Sequence, residues 1–166
     1  LGRSDAAQLS VLCLPALAHA LLPGAAARLL QASPHARLSV TPQESPLLEE
    51  WMSAQRFDLG LGEQTATPPG TQAEVLLTLD EVAVLPAGHA LAMRPVLGLD
   101  DFAGLPFVSL SADDPYRRQI DALFAQAGVQ RQLRLETHSA VAVCAMVQQG
   151  LGVAIVNPFT ALAWVN

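Results

Sequence analysis

Apolar positions in this chain come in short runs and helical stripes, each closed by proline, glycine or a polar cluster. "QLSVLCLP" (8–15) is a run of apolar residues ending at Pro15, which predicts a buried strand. "ALAHALLPGAAARLLQ" (16–31) predicts a helix that carries Pro23 in its interior, a position that should kink it. "ARLSVTP" (36–42) alternates and predicts a strand. Ser45-Pro46 then reads as an N-cap with proline in the first turn, opening a helix to about Gln55, and "FDLGLGE" (57–63) predicts the next strand. "TATPPGTQ" (65–72) is a loop by composition.

"AEVLLTLDEVAVLP" (73–86) predicts one long extended run broken by Asp80-Glu81, and "AGHALAMRPVLGL" (87–99) a connection. The plan then repeats. "PFVSL" (106–110) predicts a strand. Asp114-Pro115 caps a helix from Tyr116 to about Ala127 that Gly128 stops. "QLRLET" (132–137) predicts a strand, "SAVAVCAMVQQ" (139–149) a helix with Gly150 after it, and "GVAIV" (152–156) a strand. "NPFTALAW" (157–164) opens a last helix, which shows little sign of a stop before Asn166. Strand-helix-strand-helix-strand thus occurs twice, at 8–63 and 106–156. Such alternation implies an α/β fold with parallel sheets covered on both faces. Each half is small for an independent fold, so two packed lobes joined by 73–86 are expected.

Composition narrows the function. The chain has 166 residues, is 51% hydrophobic and carries a net charge of -6, with nine arginines and no lysine. The arginines are scattered, which suits nucleic acid poorly. Without lysine, no side-chain amine can form a Schiff base. No apolar run spans a bilayer, and "LGRSDAAQLS" does not read as a signal peptide. Cys13 and Cys144 sit in apolar runs without charged neighbours, which predicts buried thiols in a reducing compartment.

The polar residues gather where predicted strands turn into helices. In open parallel sheets that edge binds ligands, because helix N-termini present free N–H groups there. In the first half the edge comprises Ala16 and Leu17 after Pro15, then Gln43, Glu44 and Ser45, then Glu63. In the second half it comprises Ser109 and Ser111, Asp113, Asp114 and Tyr116, then Thr137, His138 and Ser139, then Asn157. Hydroxyls and helix ends suit a carboxylate, and Glu44, Glu63 and Asp114 suit an ammonium. Together they suit a small zwitterion such as an amino acid. Taken singly, Ser45, Asp114, Ser139 and Asn157 read as ordinary helix caps. Their recurrence at successive strand ends is what favours a site.

Catalytic and metal chemistry finds no support. There is no G-x-S-x-G elbow, and the adjacency of His138 and Ser139 does not supply triad geometry, so His138 reads as a hydrogen-bonding or packing residue. "GLGEQT" (60–65) and "GLGVAI" (150–155) lack the third glycine of a dinucleotide loop. Four histidines and two cysteines show no metal-ligand spacing. Glu49-Glu50 reads as a solvated helix face. No catalytic residue, cofactor or metal is expected.

"LLPGAAARLLQASPHARLSV", "QESPLLEEWMSAQRFDLGLGE", "LDEVAVLPAGHALA", "DFAGLPFVSLSADDPYRRQIDALF" and "ETHSAVAVCAMVQQGLGVAIVNPFTALAW" resemble the effector-binding domain of LysR-type transcriptional regulators across nearly the whole chain. "FDLGL" and "GHALA" are shared family-wide. "QESPLLEEW" and "ETHSAVAVCAMV" are similar to the subgroup that activates the diaminopimelate decarboxylase gene, and next to the opine-responsive regulators. The resemblance implies a fold like the type 2 periplasmic binding proteins. That means two Rossmann-like lobes with a cleft and two crossover strands, near Leu79–Val82 and near Asn157. It places lobe I at 1–79, lobe II at 80–160 and the start of a return segment to lobe I at 161–166, the rest of lobe I being missing.

It further implies a cytoplasmic regulator without enzymatic activity that forms a homodimer or tetramer, with the alanine-rich helix at 16–31 a candidate contact surface. DNA would be bound through an N-terminal winged helix-turn-helix absent from this chain. The implied effector is meso-diaminopimelate, with lysine as counter-effector, held in the cleft by Ala16, Leu17, Gln43, Glu44, Ser45, Glu63, Ser109, Asp114, Tyr116, Thr137, His138, Ser139 and Asn157. Pro115 stands where the subgroup more often has serine, and Gly62 where it often has threonine. The alternative on the same architecture is a periplasmic amino-acid-binding protein of a transporter. A signal peptide upstream would favour that alternative, and a helix-turn-helix the regulator.

Overall fold

The computed structural model describes residues 8–63 and 66–164. The predicted N-terminal stretch up to residue 7, Thr65 of the predicted loop, and Val165 and Asn166 of the predicted last helix lie outside the described residues. The chain forms two compact units that divide between Val75 and Leu76.

The first unit is a three-stranded parallel sheet in the order β2-β1-β3, with β1 at Gln8–Cys13, β2 at Arg37–Pro42 and β3 at Leu59–Leu61. The apolar run places Val11, Leu12 and Cys13 in the core, where Leu14, Leu17, Leu22 and Leu48 join them. The predicted helix at 16–31 is two helices, α1 at Pro15–Ala20 and α2 at Leu22–Ala32. Pro23 lies in the first turn of α2, where a missing N–H breaks no bond. The chain therefore turns at Leu21 instead of kinking mid-helix. A Cβ on Gly60 would lie 2.4 Å from the Met52 sulfur, so the methionine side chain fills the space that the glycine leaves.

One set of bonds in this unit has no sequence signal. Asp58 accepts from the Ser10 backbone N–H and hydroxyl, both at 2.8 Å, and its own N–H bonds to the Ser10 carbonyl. These bonds hold the Asp58 carboxyl below the ordinary carboxylate range and fasten β3 to β1.

The second unit holds β4 (Val82–Val84), β5 (Pro106–Leu110), β6 (Gln132–Thr137) and β7 (Ala154–Val156), with α4 (Pro115–Ala127), α5 (Ala140–Gln148) and α6 (Pro158–Leu162). β5 and β6 pair in parallel, and β4 pairs antiparallel with β7. A parallel bridge between Phe107 and Val153 sets β7 beside β5, giving the order β6-β5-β7-β4. Gly128, with φ at 68°, ends α4 in the left-handed conformation. The long extended run predicted at 73–86 pairs only over Val82–Val84. Val75, Leu76, Leu77 and Leu79 are apolar but exposed, so hydrophobic content there does not mark a paired strand.

The core of this unit has two parts. Val108, Val143, Cys144, Val147, Ala154 and Val156 pack between α5 and the sheet. Phe102, Phe107 and Phe124 form an edge-to-face trio with ring centroids 5.9–6.2 Å apart. Arg131 closes this trio. Its guanidinium lies 4.1 Å from the Phe124 ring centroid and 4.7 Å from that of Phe107, and it pairs with Asp121. Asp121 also takes Nε of the buried Arg117 at 2.7 Å, while Arg117 Nη1 reaches Glu136 at 3.0 Å and the Leu110 carbonyl at 2.7 Å. Burial opposes the Arg117 charge, but Glu136 and Asp121 outweigh it and hold its pKa above the usual value. Both cysteines are buried and unpaired, as expected, and burial pushes the Cys144 thiol up to about 11.

Candidate functional site

In each unit the carboxyl ends of the parallel strands lie side by side. In the first unit the Gln43 N–H donates to the Cys13 carbonyl at 2.8 Å, and the Leu14 N–H to the Leu61 carbonyl at 3.0 Å. The segments carrying Ala16 and Leu17, Gln43 to Ser45, and Glu63 therefore leave one sheet edge together. Their chemistry differs. Leu17 is a core side chain, and its N–H turns back to the Leu14 carbonyl. What Ala16 and Leu17 contribute to the edge is therefore backbone and apolar surface. Gln43 Nε2 reaches the Glu44 carbonyl at 3.4 Å.

Ser45 is not the N-cap predicted for it. The third helix, α3, spans Leu47–Ser53 with Pro46 at the cap, and the Ser45-Pro46 peptide is cis. The Ser45 hydroxyl instead donates to Glu49 Oε1 at 2.7 Å. Glu49 accordingly turns inward, unlike the exposed Glu50, and its Oε2 is buried with no hydrogen-bond partner. Because the Ser45 proton goes to Glu49, the Ser45 oxygen offers lone pairs outward and suits a donor such as an ammonium.

In the second unit the edge is built from β5, β6 and β7. The Ser111 N–H donates to the Thr137 carbonyl at 3.0 Å, joining the first two strand ends. Ser139 caps α5, its hydroxyl oxygen accepting from the Ala142 N–H at 3.2 Å. The Thr137 hydroxyl oxygen accepts from the Ser139 N–H, also at 3.2 Å. Both oxygens thus act as acceptors toward the backbone, and a hydroxyl that accepts can also donate, so a ligand carboxylate suits the N-terminus of α5. Asn157 caps α6 through the Thr160 N–H at 2.8 Å.

Asp114 is buried, and its Oδ1 accepts from the Tyr116 and Arg117 N–H groups at 2.8 and 3.3 Å. It serves α4 as a cap and offers little to an ammonium. Ser109 is also buried. It lines a cavity of about 10 Å³ with Phe107, Tyr116, Ile120 and Ile155, room for about one water molecule. His138 bridges Ser111, at 3.2 Å from Nδ1, and Asp113, at 3.1 Å from Nε2. That order of groups looks hydrolytic, but the His138 and Asp113 side chains are 66% and 57% exposed. A nucleophilic serine needs its histidine oriented by a buried carboxylate, which this solvated chain lacks. One contact at this edge had no sequence signal: the Tyr116 hydroxyl donates to Glu81 Oε2 at 2.6 Å across 35 residues.

The model of the LysR substrate binding domain matches residues 2–166. The chain belongs to the LysR substrate-binding domain family. It is 52% identical over 155 residues to the transcriptional activator protein LysR of Escherichia coli, covering 93% of this chain and 50% of that protein. Among solved structures, the LysR family regulator HinK of Pseudomonas aeruginosa superposes with a TM-score of 0.79 at 27% identity, covering 91% of this chain and 52% of that one. The effector binding domain of QuiR, solved in complex with shikimate, superposes with a TM-score of 0.83 at 18% identity over 98% of this chain and 78% of that one, a likeness of fold. The expected LysR-type effector-domain fold, with its periplasmic-binding-protein-like architecture, is thereby established. The LysR family consists of transcription regulators, not enzymes, and this chain spans about half the length of the curated relatives it matches, 50% and 54% for the first two. No helix among the described residues is long and apolar enough to cross a membrane.

Proposed function

We propose that this chain is the effector-sensing part of a cytoplasmic LysR-type regulator and binds an amino-acid-like effector, diaminopimelate or lysine, at its polar strand ends. The observation that carries the reading is the pair of hydroxyls at the start of α5. Thr137 and Ser139 accept from the backbone, and their hydroxyls can donate to a carboxylate. The strand ends of the first unit, taken by themselves, have acceptor character: the Ser45 proton is committed to Glu49, and Glu44 and Glu63 follow the second and third strands. A ligand with both signs of charge fits such a division. The likeness of "QESPLLEEW" and "ETHSAVAVCAMV" to the subgroup that activates the diaminopimelate decarboxylase gene favours an amino acid over other small acids.

DNA binding through a winged helix-turn-helix and assembly into a homodimer or tetramer belong to the same proposal. Binding would act by favouring one arrangement of the units or subunits over another, which requires different affinity for the two.

Calorimetric titration of the full-length protein with meso-diaminopimelate and lysine tests the reading. Saturable binding is expected. Thr137→Val is expected to weaken it about tenfold or more, since a hydrogen bond to a charged group contributes about 1.5–3 kcal/mol. Ser45→Ala is expected to weaken it as well. Unchanged affinity in both variants would overturn the assignment of this site.

A further inference from the structure

An amino-acid effector needs an acid for its ammonium, and the acid that the second unit's sequence suggests for that role is committed elsewhere. Asp114 is buried and caps α4. A different carboxylate stands at that edge. Glu81 immediately precedes β4. Because β4 runs antiparallel to β7, with Val82 opposite Val156, Glu81 emerges beside the carboxyl end of β7, next to Asn157. Its side chain is held from the other side of the edge by the Tyr116 hydroxyl at 2.6 Å. Tyr116 is in turn fixed in the first turn of α4 by the Asp114 cap.

We infer that Glu81, positioned by Tyr116, is the carboxylate of the second unit that recognises the effector's ammonium group. The inference rests on the amino-acid reading proposed above. Three features support it. The Tyr116 bond engages Oε2 and restrains the side chain, so less rotamer freedom is lost when a ligand binds. Partial burial also sets Glu81 above the ordinary carboxylate range, against the lowering effect of Tyr116, so a cationic partner would stabilise its charged form. Finally, the carboxylate lies at the same end of the sheet as the Thr137 and Ser139 hydroxyls, so an elongated ligand lying across the strand ends from β6 to β4 would meet hydroxyl donors and an anionic acceptor.

Discrimination between ligands with and without ammonium groups tests this in the full-length protein. The probes are meso-diaminopimelate and pimelate, its counterpart lacking both amino groups, with pimelate read by competition. The wild type should favour diaminopimelate. Glu81→Gln keeps an acceptor for Tyr116 and so preserves the local fold. It should lower diaminopimelate affinity about tenfold or more and leave pimelate within about twofold. Tyr116→Phe should reduce the same preference by a smaller factor without weakening pimelate, a pattern that a general loss of structure would not give. Diaminopimelate affinity unchanged in Glu81→Gln, or an equal loss for both probes, would overturn the inference while leaving the amino-acid reading intact. A wild-type protein that binds neither diaminopimelate nor lysine would overturn that reading, and this inference with it.

Discussion

A Phe124→Ala variant is expected to lose about 3–5 kcal/mol of folding stability. Phe124 is 2% exposed and packs edge-to-face on both Phe102 and Phe107. Truncation removes its apolar burial, leaves a cavity and takes away one of the two rings beneath the Arg131 guanidinium. The last effect compounds the first, because the Arg131 Nη1 is already buried without a hydrogen-bond partner and would lose aromatic contact as well. Domains of this kind are stable by only about 5–15 kcal/mol, so the loss is a large fraction of the whole. Urea denaturation followed by circular dichroism checks it. The midpoint should fall steeply at an unchanged slope, and a loss under about 1 kcal/mol would show that the trio does not hold this half of the core.

The second large effect is expected at Gly152. Its φ of 156° and its position against β5 both exclude a side chain: a Cβ would lie 2.7 Å from the Pro106 carbonyl oxygen. The obstacle is backbone, which cannot rotate away. The contact also sits beside the bonds that join the two halves of the sheet, Val153 N–H to Pro106 O and Val108 N–H to Val153 O, both 2.9 Å. Gly152→Ala should therefore cost about 2–5 kcal/mol, combining backbone strain with overpacking. Amide hydrogen exchange should show β7 and β5 losing protection first. Gly150→Ala, with positive φ but nothing within 4 Å of the added carbon, is the milder control.

These two positions show what could be read from sequence and what could not. The β5 and β6 strands lie where 106–110 and 132–137 predicted them, because proline or glycine punctuation brackets short apolar runs. The Asp114, Ser139 and Asn157 caps were legible for the same local reason, since a cap bonds within three residues. Gly152 was legible only as a strand-end glycine, because its reason lies in a carbonyl 46 residues away in sequence. Arg131 read as one of several scattered arginines, and its burial over two phenylalanines depends on tertiary packing. The run at 73–81 misled because apolar content alone cannot tell a paired strand from an exposed segment.

The site divides in the same way. That polar residues collect at strand ends followed from the alternation of strands and helices. The role of each did not. Ser45 looked like a cap and is a donor to Glu49. Asp114 looked like a ligand acid and is also a cap. Glu81 carries no local signal inside an apolar run, because its partner Tyr116 lies beyond two strands and two short helical turns. Hydrogen-bond direction, which decides whether a hydroxyl meets a carboxylate or an ammonium, is set by neighbours the chain brings in from a distance.

The central claim is that the carboxyl ends of these strands hold a charged metabolite of both signs. A crystal structure of the full-length protein grown with meso-diaminopimelate tests it most directly. The account predicts ligand density with a carboxylate against the Thr137 and Ser139 hydroxyls and an ammonium within reach of Glu81. Density seated away from all three residues, with the strand ends in contact only with solvent, would contradict it.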